Sequence, residues 1–580
     1  MKHLRLLTII IGMGMLFTSM SLSADNMLFR NGKSKYSIVL STTASTSEQT
    51  AAEELQKYIR EISGAELPIV NNLKTKGAKI YVGYNSRVGE ILGQKEIDKL
   101  DETFTYENRG KDLFIYGGSQ RGTLYGVYTF LEKELGCRWY TPTCTKVPKL
   151  DKWSFAKLCH SESPAIQFRY SNYFEISEAY EWSAHNKQNC QWVARANKFG
   201  NIEGYWSCHT MGIFVSEKEF FATHPEYFAL RDGKRKGSGQ ICLTNPDVMK
   251  ICRERLLEVM DREPLYRIYS LSQNDNCDFC ECDECKKMEE KYGGHSGLIV
   301  WFVNQVADEV KKVHPDKFVG TFAYLYGRKP PVGIVPRDNV VIRLCNFSCC
   351  WAHPMDAGCW NESFMEDLVG WKKIAKNLFI WDYIVDFAQY LAPYPNFQVL
   401  GPNIKVFRDN NAIGVFEEGQ YQSGASEFQE MKSWVVAKLL WDPEQDVNVL
   451  VKDFIEGFYG KAAPRIQEYY DLCQSLVKPD LHFGHGARED DPIYSDEFVV
   501  QGEDLLRDAM NLAENDEIRE RTGEVLMQIL YLKAMRNKQQ SFRDGTWDEL
   551  VQMMRHYKTR ANEWVSLETF IETIEKERKK

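Results

Sequence analysis

The sequence predicts an α/β fold: a TIM-like (β/α)8 barrel, preceded by a small α/β accessory domain and followed by a helical C-terminal region. Three observations predict it. Short β-like runs alternate with helical stretches from Ile166 to about Tyr459, the order of parallel βα units. Eight such runs can be placed, the number with which a barrel closes, and several end abruptly in polar residues, as barrel strands do where they feed a site. The 580 residues, 43% hydrophobic and 13% aromatic, suffice for more than one packed core.

Residues 1–24 read as a signal peptide. Lys2 and Arg5 form its basic start, Leu6 to Phe17 its apolar core, and Ser21, Ser23 and Ala24 a cleavage site. The expectation is an exported protein, periplasmic or secreted, with no membrane insertion after cleavage. Residues 25–150 read as the accessory domain: strand Ser37 to Leu40, then helix Glu48 to Ile62, whose Ala51, Leu55, Ile59 and Ile62 share one face before Gly64 stops it. Further strands are expected at Lys79 to Gly83, Phe104 to Glu107 and Asp112 to Gly117, and a second helix at Arg121 to Glu134, closed by Gly136. This unit offers no convergent acids, histidines or nucleophiles.

The barrel is expected over residues 160–460. Its strands are predicted at Ile166 to Tyr170, Cys190 to Ala194, Ser207 to Met211, Tyr266 to Leu271, Phe318 to Ala323, Val340 to Leu344, Leu378 to Trp381 and Ala412 to Phe416. Residues 461–580 are charged and helical, with amphipathic stretches such as Glu503 to Leu512 and Arg521 to Met535, and read as a helical cap.

The net charge of −9 is spread along the chain, so neither a nucleic-acid footprint nor a basic membrane-binding patch is present. Fourteen Trp and 29 Tyr suit carbohydrate faces as well as cores, and do not choose between them. The strand ends say more. Strand four delivers Asn274 and Asp275; strand seven delivers Asp382 and Tyr383 after Trp381; strand eight delivers Glu417, Glu418, Gln420 and Tyr421; His209 closes strand three. Glycosidic cleavage needs one group to protonate the leaving oxygen and another to manage the positive charge developing on the sugar. Any single acid is as well explained by a salt bridge or a helix cap, but acids at the ends of several strands are harder to explain so. Trp381 and Tyr383 offer an aromatic platform, with core filling as the alternative. His209 and His353 are sugar-hydroxyl ligands or ordinary hydrogen-bonded histidines. Arg195 and Asn197 lie just after strand two, where hydroxyl binding and charge pairing explain them equally.

The chain resembles glycoside hydrolase family 163, long catalogued as domain of unknown function 4838. The resemblance runs through WVARANKFG (Trp192 to Gly200), CHT (Cys208 to Thr210), HPEYFALRDGKR (His224 to Arg235), SQNDN with the cysteines after it, TFAYLYGRKPP (Thr321 to Pro331, with Tyr324), CCWAHP (Cys349 to Pro354), WDY (Trp381 to Tyr383) and FEEGQY (Phe416 to Tyr421). The N-terminal stretches AAEELQKYIREISGAELPI and SQRGTLYGVYTFLEKELGCRWY resemble the domain that precedes the barrel in α-glucuronidases and β-hexosaminidases. The resemblance implies a retaining endo-β-N-acetylglucosaminidase that cuts the chitobiose core of complex N-glycans, with the substrate's 2-acetamido oxygen as nucleophile. It implies a polar pair at the end of strand four, here Asn274-Asp275 rather than Asp-Glu; the acid is Asp275, or Glu417 or Glu418 with Asp275 orienting the acetamide. The expected partner is a glycan or glycoprotein, and no cofactor is called for. An exo-acting hexosaminidase, an inverting α-glucuronidase-like hydrolase and a non-catalytic glycan-binding protein remain alternatives.

Four cysteines, Cys277, Cys280, Cys282 and Cys285, follow CxxCxCxxC spacing. Export favours disulfides, and zinc sites usually separate two CxxC pairs by a longer loop, so a disulfide-stapled βα loop is expected ahead of zinc or free thiols. Cys345, Cys349, Cys350 and Cys359 form a second group, whose connectivity the sequence leaves open.

Overall fold

The computed structural model describes residues 26–71, 76–484, 486 and 491–579; the expected signal peptide lies outside them. Among the described residues no helix is long and apolar enough to cross a membrane.

The N-terminal domain is built on a six-stranded mixed sheet in the order Cys159–Glu162, Phe104–Arg109, Asp112–Gly117, Ala78–Val82, Tyr36–Leu40, Ile69–Val70. Helix Thr46–Ser63 begins in a capping box between Ser45 and Glu48 and ends at Gly64, whose φ of 75° suits a residue without a Cβ. It packs against helix Gly122–Lys133.

Eight parallel strands then form the barrel: Phe168–Asn172, Cys190–Gln191, Glu203–Trp206, Ile268–Ser270, Phe318–Ala323, Val340–Cys345, Asn377–Tyr383 and Ala412–Glu418. Seven overlap the runs predicted for them. The third lies earlier than the expected Ser207 to Met211: Ser207 and His209 have φ of 58° and 52°, so this polar run is the turn after the strand, leading into the short helix Met211–Phe214. Strand eight pairs with strand one from Phe168 opposite Gly414 to Asn172 opposite Glu418. The remaining seam, between strands one and two, is sewn largely by side-chain amides. Arg169 N–H donates to Asn189 Oδ1 (3.0 Å) and Ser171 N–H to Gln188 Oε1 (3.3 Å).

Period-two alternation sorts the barrel residues into two chemically distinct sets. Phe379, Trp381, Tyr383, Phe322, Phe416, Tyr170 and Tyr205 gather in an aromatic interior cluster, whereas Leu378, Ile380, Ile342, Leu344 and Val415 join the aliphatic layer under the helices. Gly414 makes room for this interior, since a Cβ there would lie 2.4 Å from the Phe379 ring. Within it the Arg343 guanidinium is surrounded by the rings of Tyr205 and Trp381 (4.3 Å each), Phe416 (4.6 Å), Phe379 (5.0 Å) and Trp192 (5.1 Å), a cation held by aromatic faces rather than by a carboxylate.

A buried ion cluster ties the N-terminal domain to the barrel. Arg121 Nε and Arg169 Nη2 each lie 2.5 Å from a Glu102 oxygen, and Asn189 Nδ2 donates to the same carboxylate (2.8 Å). Burial by itself raises the Glu102 pKa, but the two guanidinium groups hold it below the usual carboxylate value. Helices from Ala463–Gln474 to Leu567–Arg578 complete the chain. The loop between Thr546–Tyr557 and Leu567–Arg578 runs back to the barrel mouth: Glu563 N–H donates to Phe387 O (3.0 Å), and Tyr390 N–H to Ala561 O (2.9 Å).

Candidate active site

A cavity of about 470 Å³ opens at the C-terminal ends of the barrel strands. Glu418, Asp275, His209, Tyr324, Trp381 and Tyr383 line it, with Phe322, Phe347, Phe387 and Cys345, and with Glu563 and Trp564 from the C-terminal loop. It therefore carries three carboxyl groups and many aromatic rings, and no Lys or Arg among its lining residues.

Glu418 is the last residue of strand eight, so its side chain points inward with Phe416. It is 8% exposed, and burial pushes its carboxyl up to about 8; the Trp381 indole and Arg343 act against that shift, while Glu563 and Asp275 add to it. Trp381 Nε1 donates to Glu418 Oε2 at 2.6 Å. At neutral pH this site holds a carboxylic acid with a proton to give.

Asp275 is exposed at the rim and shares the cavity lining with Tyr324; burial first, then the charge of Asp275, raises the Tyr324 pKa well above its usual value. His209 is held by its backbone N–H on Ser272 Oγ (2.9 Å) and its Nδ1 on Gln273 O (2.8 Å). A carbonyl oxygen only accepts, so Nδ1 carries the hydrogen and Nε2 of the neutral ring is an acceptor.

Several expected site residues stand elsewhere. Asn274 does not line the cavity: its Oδ1 accepts from Gly212 N–H (2.9 Å) and its Nδ2 donates to Gly239 O (2.8 Å), so both ends of the amide are occupied in bracing the loop that presents Asp275. Glu417 and Asp382 sit opposite each other on strands eight and seven and, by alternation, point out of the barrel. Asn346 Nδ2 donates to Asp382 Oδ1 (2.5 Å), and neither Glu417 oxygen has a donor. Burial raises Asp382 to about 6, and burial together with the Asp382 charge raises Glu417 well above the usual range, so Glu417 is the protonated partner in a buried acid pair. Arg195 is exposed and Asn197 half-buried; Arg195 Nε donates to Tyr180 OH (3.1 Å), and Asn197 organises its own turn through Phe199 N–H (2.8 Å). His353 contacts Cys350 Sγ (3.6 Å) and Lys478 O (3.2 Å), away from the cavity. Tyr421 reaches the site indirectly: its hydroxyl donates to Glu563 Oε1 (3.1 Å).

Glu563 and Trp564 escaped the sequence reading because their loop reaches the mouth only through the packing of the C-terminal helices. The signal was an acid beside a Trp in a short break between amphipathic helices. Burial and the charge of Asp275 raise the Glu563 pKa, and the Tyr421 hydroxyl opposes them. Trp564 is 68% exposed, an apolar face open to solvent beside the cavity. The expected disulfide staple is not present among the described residues: Cys277, Cys280, Cys282 and Cys285 form no disulfide, and the last three gather with Cys242 instead. In the second group Cys345 reaches the cavity and Cys349 and Cys350 are buried.

A family model described as a domain of unknown function, DUF4838, matches residues 139–471, and a second, described as the glycosyl hydrolase family 67 N-terminus, matches residues 24–130. No curated protein matches the chain. Among solved structures, the chain is similar to BtGH115A, described as a family GH115 4-O-methyl-α-glucuronidase with specificity for decorated arabinogalactans: the TM-score is 0.58 at 14% identity, over 93% of this chain and 78% of that one. It is similar also to CpGH84D, with a TM-score of 0.50 at 10% identity over 95% and 96% of the two chains, and to CpGH84B, with 0.50 at 11% over 93% and 96%. At these identities the likeness is one of fold, and the fold is one that glycoside hydrolases use.

Proposed function

The chain belongs to the family described as a domain of unknown function, DUF4838, and from that premise we propose that it is a retaining endo-β-N-acetylglucosaminidase that cuts the chitobiose core of complex N-glycans. The observation that carries the proposal is Glu418: a carboxyl held in its acid form to about 8, on the wall of an aromatic cavity whose rim bears Asp275. Glu418 is assigned as the acid, in preference to Glu417, which faces away, and to Asp275, which is exposed.

In the first step the Glu418 proton passes to the glycosidic oxygen as the bond to the anomeric carbon breaks, and the acetamide oxygen of the same sugar bonds to that carbon from the opposite face. Asp275, presented by the loop that Asn274 braces, accepts the acetamide N–H and faces the positive charge on the resulting oxazolinium ring. In the second step the Glu418 carboxylate takes a proton from water, whose oxygen reopens the ring with overall retention. Trp381 and Tyr383 flank the sugar, and His209 Nε2 accepts from a hydroxyl. The lining favours this reading over cleavage of a uronide: no Lys or Arg stands among the lining residues to pair with the carboxylate of a sugar acid. The basic and apolar leader in the sequence supports export of the enzyme.

The test is incubation with complex, high-mannose and O-linked glycoproteins, followed by mass spectrometry of the released sugars. Free N-glycans ending in a single N-acetylglucosamine are expected from the complex substrate. Release of a terminal acid sugar without chitobiose cleavage overturns the proposal.

A further inference from the structure

Behind the rim that carries Asp275, four cysteine sulfurs converge. Cys280, Cys282 and Cys285 come from the loop and helix that follow strand four; the fourth is Cys242, from the segment before helix Pro246–Arg262, and not Cys277, which the local spacing suggests and which is exposed. All four sulfurs lie within 4.8 Å of one another. Cys242 Sγ is 3.7 Å from Cys282 Sγ and 3.9 Å from Cys285 Sγ. A disulfide needs about 2.05 Å. Four thiolates at the zinc–sulfur distance of about 2.3 Å, at the corners of a tetrahedron, stand about 3.8 Å apart. The spacing observed is that of ligands around one ion.

We propose that Cys242, Cys280, Cys282 and Cys285 bind one structural zinc ion. The surroundings suit a bound thiolate cluster. Leu230 N–H donates to Cys280 Sγ (3.4 Å), Arg235 Nη1 lies 3.8 Å from the same sulfur, and Thr244 Oγ1 lies 3.3 Å from Cys285 Sγ. Binding releases the four thiol protons and leaves a net charge of −2 on the cluster, which the guanidinium and these donors offset. Leu230 and Arg235 belong to a two-stranded hairpin, Leu230–Arg231 with Lys234–Arg235, turned at Asp232 and Gly233 (φ 51° and 74°). Glu281 N–H donates to Leu230 O (2.7 Å), which laces that hairpin to the cysteine loop. Cys242, Cys280 and Cys285 are buried, and with four protein ligands no coordination position is left for substrate, so the ion is structural.

The ion also has a place in the fold. Gln240, two residues before Cys242, donates through Nε2 to Asn274 O (2.9 Å) and Asn276 O (2.8 Å) and accepts from Asn274 N–H (2.9 Å). The backbone on either side of Asp275 is thus held by a segment that the zinc would anchor to the cysteine loop.

Full-length protein produced in medium supplying zinc and iron should carry about one zinc per chain by elemental mass spectrometry. Cys242→Ser and Cys285→Ser should lose it, and Cys277→Ser should keep it. Replacement by cobalt should give the intense visible absorption of a tetrahedral thiolate site. If the Ser variants fail to fold, titrating the wild-type protein with a mercurial thiol reagent should release one zinc for about four thiols modified. None of these readouts depends on the substrate. The proposal is overturned by iron in place of zinc, by zinc retained in Cys242→Ser, or by a metal-free protein whose mass is lowered by about 4 Da through two disulfides.

Discussion

Trp381 on strand seven donates its indole N–H to Glu418 on strand eight, 2.6 Å away, and that bond is the largest opposition to the rise that burial imposes on the acid. Because the donor favours the carboxylate, its removal should raise the Glu418 pKa further. The proposed first step uses the protonated form, so kcat/KM should fall as pH rises through about 8. In Trp381→Phe the alkaline limb should move upward, whatever the change in the height of the profile. A pH profile of the free-enzyme parameter checks both; an unmoved alkaline limb removes Glu418 from the role.

Glu418→Gln should lower kcat by about 10²- to 10⁴-fold on glycoprotein, the range for loss of a general acid. An aryl glycoside with an activated leaving group needs no protonation, so its first step should be largely restored. Asp275→Asn should be equally damaging and should not be rescued by the leaving group, because its partner is the acetamide. Paired kinetics on the two substrates distinguish these roles.

The outward acid pair makes a separate prediction about stability. Glu417 and Asp382 have folded-state pKa values above their unfolded ones, so the native state binds more protons over the interval between them. Their contribution is complete below about pH 4 and is lost as pH rises through about 6 for Asp382 and higher for Glu417. Glu417→Gln should therefore flatten the fall of stability with pH by up to about 1.4 kcal/mol per unit, with little effect at pH 4. Thermal melts across pH 4 to about 8 check it; an unchanged slope would mean that the pair is not proton-linked to folding.

Trp564→Ala should raise KM by about tenfold with a smaller change in kcat, as expected if the exposed ring stacks on a sugar outside the reacting subsite. A drop in kcat alone would assign the loop to the chemistry instead.

The barrel was legible because its signals are local. Runs such as VVIRLC and AIGVFEE carry their own alternation, and a polar residue at the end of such a run is already at the mouth. The same alternation also held information that the run of acids masked: Glu417 and Glu418 are adjacent, so only one of them can face inward. Asn274 could not be separated from Asp275 in sequence because its role is decided by Gly212 and Gly239, distant in the chain. Cys242 lies 38 residues or more from the cysteines it joins, and local spacing pointed to Cys277 in its place. His209 was rightly put near the mouth for a wrong reason, since it sits on the turn after its strand rather than in it.

The loop from the last helices gives the cavity one of its walls. The barrel alone is therefore not the whole of the cavity. A fragment holding only the eight strands and their helices would keep Glu418 and Asp275 and yet have an open side where Glu563 and Trp564 belong. Under the proposed function, sequence change among the C-terminal helices, far along the chain from Glu418 and Asp275, is then a route by which the choice of glycan would shift while the chemistry is left alone.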